Sequence, residues 1–336
     1  MLSRFLVLLL SLLLCQFCQF CVAKENHDFV KRPAVKIFID KMVKKHHFKK
    51  AALVKLFKSV KIRPSVVASI NHPLEQRPWY TYERLFVTEW RIREGVVFWN
   101  KYHTALSHAE KKYGVPASVI VATIGVETKY GKHTGEYPVI DALANIAFSK
   151  STRAKFFQSE LEEFLLLTRE QHLDPLKVMG SYAGAIGQPQ FMPSSYRRYA
   201  VSYSGHAKID LSHNEDDIIA SIANYYQKFG WQKDEPIAIP ASIVGNKYQF
   251  FLDKNNGVRM SSYSTLRNYG IIPKEALATN QQFKLIELRG YWGNEYWLAF
   301  HNFGVIKRYN ASDLYAMAVF QLSHYISDLR EKLKND

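Results

Sequence analysis

Glu127 is the residue of this chain best suited to acid–base chemistry. It lies in the stretch Pro116–Gly131, PASVIVATIGVETKYG, where Val119, Ile120, Ala122, Ile124 and Val126 leave almost no polar face. Pro116 reads as the first helical residue and Gly131 as the stop. Ile120, Ile124 and Glu127 keep the four-then-three spacing of one helix stripe, so the carboxyl is expected against an apolar wall. Desolvation disfavours the charged form of a carboxyl group. A carboxyl that keeps its proton near neutral pH can serve as a general acid. A helix-end glutamate paired with a Lys or Arg fits the same spacing, and this segment alone leaves both readings open.

The second stretch with chemical content is Gly180–Tyr196, GSYAGAIGQPQFMPSSY. Gly180, Gly184 and Gly187 permit close backbone approach, and Ser181, Gln188 and Gln190 supply neutral hydrogen-bonding groups. A tightly packed helix–loop–helix corner would use the same residues. Phosphate binding is set aside, because the glycines do not run into Gly-Lys-Ser/Thr. Ordinary glycosidases need two carboxylates astride the bond. Glu136, Asp141 and Glu160 are candidates for a second, although each also fits a cap or a surface charge.

The elements that must position these groups are mainly helical. Residues 30–70 carry a basic helical pattern with Ile37, Ile39, Met42, Leu53, Leu56 and Phe57 inward. The cluster Lys45-His46-His47 reads as a solvated helix face rather than a metal site. One helix is expected over Glu94–Tyr113. Others are expected over the DALANIAFSK segment, Phe156–His172 and Asp217–Phe229, and a last one from Ser312, an N-cap. Between Pro236 and Asn310 the pattern turns β-rich, with strands expected at Tyr248–Leu252, Phe283–Leu288 and Tyr296–Phe300. The fold class expected is therefore α+β, mainly α, with a small inserted β subdomain.

Composition narrows the setting. Residues 1–23 read as a signal peptide: Arg4, an apolar run from Phe5 to Cys15, and a small-residue exit at Ala23. An uncleaved anchor is the competing reading, and a lipidated Cys15 is a third, although Leu12-Leu13-Leu14 before it lacks the small residues that lipoprotein processing wants. Cys15, Cys18 and Cys21, the chain's three cysteines, all fall in this leader, so no disulfide is expected in the mature protein. A net charge of +15 favours an anionic partner, and export makes nucleic acid the least fitting one. A membrane surface or an anionic wall polymer remains.

Taken together, GVETKYG, the DAL segment, GSYAGAIGQPQFMPSSY, ANYYQKFGW and RYNASDLYAMAVFQL resemble the lytic murein transglycosylase B family, collinearly from Phe29 to Leu329. The resemblance implies a lysozyme-like helical core at 101–233. Around it would stand an α domain of 24–100 completed by the C-terminal helix 311–336, and a small β subdomain at 234–310. It implies a periplasmic lytic transglycosylase that cleaves the MurNAc–GlcNAc β-1,4 bond of peptidoglycan without water and leaves a 1,6-anhydro ring. Carried over by motif, Glu127 would be the single catalytic acid and base. Ser181 and Gln190 would line the site, Arg153 would keep one substrate contact, and Tyr82, Tyr225, Tyr309, Asn310 and Tyr315 would line the sugar groove. Glycan strands are the expected partner, with association to the membrane surface or to other wall enzymes, in a monomeric protein without cofactor or metal. A hydrolytic muramidase and a non-catalytic wall-binding scaffold are the alternatives.

The chain departs from the family pattern in three places. Thr152-Arg153 replaces an Arg-Arg pair, and Gly187-Gln188-Pro189-Gln190 replaces a Gly-Tyr-Gly-Gln run. The family's calcium loop falls on Ser202–Asp217, where alternate positions carry Ser202, Ser204, His206 and Lys208. Two hydroxyls, an imidazole and an ammonium are poor ligands for a hard dication. An ion pair of Lys208 with Asp216 or Asp217 is expected to close the loop instead.

Overall fold

The computed structural model describes residues 29–70, 76–205, 208–252, 259–260, 263–276 and 282–335; the expected leader lies outside them. The chain divides into two compact units.

One unit comprises 29–70, 137–178 and 182–184 of the described residues. The helix Pro33–His46 starts on a proline and ends where His47 turns left-handed (φ 58°). Val35, Phe38, Ile39 and Met42 form its buried stripe. Phe38 meets Phe57, of the helix Lys50–Lys58, and Phe148 edge-on, with centroids 6.0 and 5.7 Å away. The helix Val139–Ala147 is buried all round, so its polar residues need partners inside. Asp141 accepts the Lys61 N–H at 3.0 Å and pairs with Arg63 Nε at 2.8 Å, while Asn145 bonds the backbone of both residues. On the helix Ala154–Glu170, Glu162 gathers Lys41, Lys45 and His46. The Lys45–His46 cluster is thus an ion-paired helix face.

The other unit holds the remaining described residues. At its centre stands the helix Ala117–Thr128, with Val119–Val126 buried without interruption. Around it pack Glu89–Lys101, His103–Tyr113, Glu215–Lys228 and Asp313–Asn335. The single helix expected over 94–113 is two, because Tyr102 leaves helical geometry (φ −109°, ψ 27°). The first of them starts earlier than expected, on a Thr88 cap whose hydroxyl accepts the Arg91 N–H. Ser312 caps the C-terminal helix as expected, accepting from the Leu314 and Tyr315 N–H groups.

A five-stranded antiparallel sheet runs in the order 259–260, 282–289, 294–299, 238–243, 271–273. Its register sets Leu285 opposite Leu298 and Ala241 opposite Tyr296. Phe283, Leu285, Leu298 and Ile271 share one core. The strand expected at Tyr248–Leu252 is instead a short helix, Gln249–Leu252, which drops Phe251 into that core. A four-residue apolar run reads alike as buried strand or helix, and packing decides between them.

Candidate active site

The end of the Glu127 helix is fixed by backbone geometry. Pro116 is its N-cap rather than its first residue, and the helix stops at Thr128. Lys129, Tyr130 and Gly131 then turn left-handed in succession (φ 51°, 58° and 82°). Two non-glycine residues in that region are strained, and side chains hold them there. Tyr130 donates from its hydroxyl to the Arg91 carbonyl at 2.7 Å, and Arg91 Nε donates to the Gly125 carbonyl at 2.9 Å. A Cβ on Gly125 would lie 2.6 Å from the Tyr130 hydroxyl, so this glycine makes room for the clamp.

Glu127 is half-buried. Its Oε1 accepts a hydrogen bond from the Tyr315 hydroxyl at 2.6 Å, brought by the C-terminal helix. Tyr315 stacks on Tyr309 (6.3 Å, 13° between planes), and Tyr309 packs against Tyr225, Tyr226 and Phe191. Burial, and after it the negative charge of Glu127, pushes the phenols of Tyr309 and Tyr315 well above their usual range. Burial raises Tyr225 and Tyr226 as well. These phenols are therefore neutral donors at any ordinary pH, and Tyr315 donates a hydrogen bond to the Glu127 carboxyl group.

The turn beside this wall is built from the second stretch. Ile186 and Phe191 pair as an antiparallel bridge around Gly187–Gln190. Gly187 (φ 71°) and Gln190 (φ 49°) make the turn. A Cβ on Gly187 would sit 2.2 Å from the Leu211 carbonyl oxygen, so no other residue fits there. Two side chains grip the turn by its carbonyls: Thr128 Oγ1 donates to Gln188 O at 3.0 Å, and the Tyr309 hydroxyl donates to Pro189 O. Acceptors of that kind exist whatever the side chain, so these two bonds do not depend on which residues stand at 188 and 189. Gln190 Nε2 donates to the carbonyls of Thr134 and Gly187. Ser181 Oγ accepts the Ala185 N–H at 3.1 Å, and the Ser181 backbone runs close along Gly135.

The residues expected at the site fall into three groups. Tyr225, Tyr309 and Tyr315 converge with Glu127, though Tyr225 and Tyr315 are buried in the wall rather than spread on an open surface. Ser181 and Gln190 lie against the loop that follows the Glu127 helix, at Gly135 and Thr134, and Asn310 caps the end of the helix His301–Tyr309. Tyr82 is 1% exposed, stacked on Trp79 and tilted against Phe86. Arg153 belongs to the other unit, where its guanidinium lies over Phe156 and Phe157. Sequence reasoning missed Thr128 and Tyr130; the only signal for them was their place beside Glu127 in GVETKYG.

Among the described residues of the loop at 202–217, no group of carboxylates gathers into a cage. The Asp217 carboxylate is buried and accepts the N–H groups of Tyr203 and Asp210 at 2.7 and 3.1 Å. Asp210 accepts those of Ser212 and His213. Asp217 thus closes the loop through backbone bonds, where an ion pair with Lys208 was expected. These residues do not fit a calcium ion, which needs such oxygens free to coordinate.

Known proteins share this architecture. Residues 31–324 match the transglycosylase SLT domain. The chain is 39% identical over 317 residues to membrane-bound lytic murein transglycosylase B of Escherichia coli, covering 91% of this chain and 86% of that protein. It superposes on the crystal structure of soluble lytic transglycosylase SltB1 from Pseudomonas aeruginosa with a TM-score of 0.82 and 42% identity, over 89% of this chain and 100% of that one. SltB3 from the same organism, solved with NAG-NAM-pentapeptide, matches with a TM-score of 0.76 and 27% identity, over 86% of this chain and 78% of that one. With this lysozyme-like, mainly helical fold and these matches over nearly its whole length, the chain belongs to the lytic murein transglycosylase B family of SLT-domain enzymes.

Proposed function

We propose that this protein is a lytic transglycosylase that cleaves the MurNAc–GlcNAc β-1,4 bond of peptidoglycan, with Glu127 as both acid and base. The observation that carries the reading is the 2.6 Å bond from a neutral, buried phenol to the Glu127 carboxylate. Glu127 gives its proton to the leaving O4 as the C1–O4 bond breaks. Tyr315 stabilises the carboxylate that forms. That carboxylate then takes the proton of the muramic 6-hydroxyl, and O6 closes on C1 as a 1,6-anhydro ring. The internal hydroxyl outcompetes water by proximity. The best-buried alternative carboxylates are committed elsewhere: Asp141 to Arg63, Asp217 to loop N–H groups. SltB3 of P. aeruginosa, also solved with NAG-anhNAM-pentapeptide, lends support from a relative. The reading includes work in the periplasm after removal of the leader, as a monomer on glycan strands.

The test is Glu127→Gln on purified peptidoglycan. The amide is nearly isosteric, so the fold and sugar binding are expected to persist while muropeptide release stops. Wild-type products are expected to be one water lighter than hydrolytic ends. Release by the variant near the wild-type rate would refute the role of Glu127; products with reducing-end muramic acid would make the enzyme a hydrolytic muramidase.

A further inference from the structure

A second cleft, of about 570 Å³, opens between the strand edges at 236–240 and 295–297, the helix Trp79–Phe86 and the C-terminal helix. Its charge is opposite to that of the chain. Glu83, Glu275 and Glu295 line it, and no Lys or Arg does, in a protein of net charge +15. His324, which also lines it, faces Asp328 at 3.4 Å. Among the described residues, none of the three glutamates has an ion-pair partner. Burial, and then the charge of Glu295, pushes the Glu83 carboxyl up. Burial and the charges of Glu83 and Glu295 do the same to the Tyr325 phenol.

Two orphaned polar atoms point to a ligand. Gln321 is only 8% exposed and lines the cleft, yet its Oε1 has no hydrogen-bond partner. The Trp297 indole N–H, in the same wall, also has none. Buried polar groups without partners are costly, and a cluster of them in one cleft calls for an explanation. The walls are otherwise aromatic: Trp297 meets Phe320 edge-on at 5.9 Å, beside Tyr325. Aromatic faces attract an alkylammonium, whereas a bare dication prefers a close cage of oxygens. No group of three or more metal-ligating side chains occurs among the described residues.

We propose that this cleft binds a primary ammonium carried on a peptide-like scaffold. The glutamates and Gln321 Oε1 accept the ammonium N–H groups, and a ligand carbonyl accepts the Trp297 N–H.

Calorimetric titration with Nα-acetyl-lysine amide tests this without reference to wall cutting, so its outcome is separate from that of the proposed function. Wild-type protein is expected to bind it, and to bind Nα,Nε-diacetyl-lysine amide at least tenfold more weakly. The double variant Glu83→Gln/Glu295→Gln is expected to lose at least tenfold in affinity for the free amine. The exposed Glu275→Gln, which does not endanger the fold, is expected to lose severalfold. Equal binding of the amine and its acetylated form, no binding by the wild type, or calcium displacing the amine at equimolar concentration would each overturn the proposal.

Discussion

Replacing Tyr315 by Phe removes one oxygen from the site and nothing else of size. The ring is 2% exposed and stacked on Tyr309, so the variant keeps its packing. It loses the hydroxyl that donates to Glu127 Oε1 at 2.6 Å. A hydrogen bond to a charged group contributes roughly 1.5–3 kcal/mol. The bond is strongest once Glu127 has given up its proton, so the loss falls on the transition state rather than on substrate binding. Each ~1.4 kcal/mol is tenfold in rate, so kcat is expected to fall about ten- to a hundredfold with KM little changed. A second sign is independent of the first. Losing a donor to the carboxylate disfavours its charged form, so the limb of the pH–rate profile on which Glu127 ionises is expected to move to higher pH. Turnover of soluble glycan fragments across a pH series, with released products counted by chromatography, measures both. Wild-type kcat with an unmoved limb would refute the claim that this phenol stabilises the developing charge.

Gly135→Ala is expected to lower both the melting temperature and activity. The new Cβ would lie 2.0 Å from the Gly180 carbonyl at φ 108°, displacing the backbone of Ser181; an unchanged melting curve would refute the packing argument. Burial raises the Glu162 carboxyl, but hydrogen bonds from Lys41, Lys45 and His46 outweigh it and hold the group down to about 2. Its folded value lies below the ordinary 4.5, so the stability it contributes is complete above about pH 4.5 and lost on acidification towards about pH 2. The wild type should therefore melt above Glu162→Gln at neutral pH and converge with it near pH 2. Melting curves in excess calcium and in chelator should superimpose, because Asp217 and Asp210 already spend their carboxylates on loop N–H groups; a rise of several degrees with calcium would show a site that these bonds do not preclude.

What could be read from the sequence, and what could not, divides along a physical line. The Glu127 helix is legible because an unbroken apolar run of that length between Pro116 and Gly131 calls for a buried helix, although the run alone does not decide what its carboxylate does. The Ser312 cap and the Tyr315 stripe of the last helix are legible because they follow local periodicity. The break at Tyr102 and the helix at Gln249–Leu252 are decided by packing, which overrides local pattern. The clamps on the site were hidden for a different reason. Thr128, Tyr309 and Tyr130 all donate to backbone carbonyls, and a carbonyl acceptor leaves no mark in the choice of residue that carries it. For the same reason the departure at Gln188 and Pro189 says little in the sequence about how the turn is held, which is by their carbonyls.

The bond between Tyr315 and Glu127 joins residues 188 positions apart. Contacts that distant close slowly, because a long loop must be ordered before they form. A chain that has only begun to fold carries its carboxylate without the phenol beside it or the aromatic wall behind it. On the proposed reading, a chain in which these two residues have not yet met lacks the stabilised carboxylate that cutting needs.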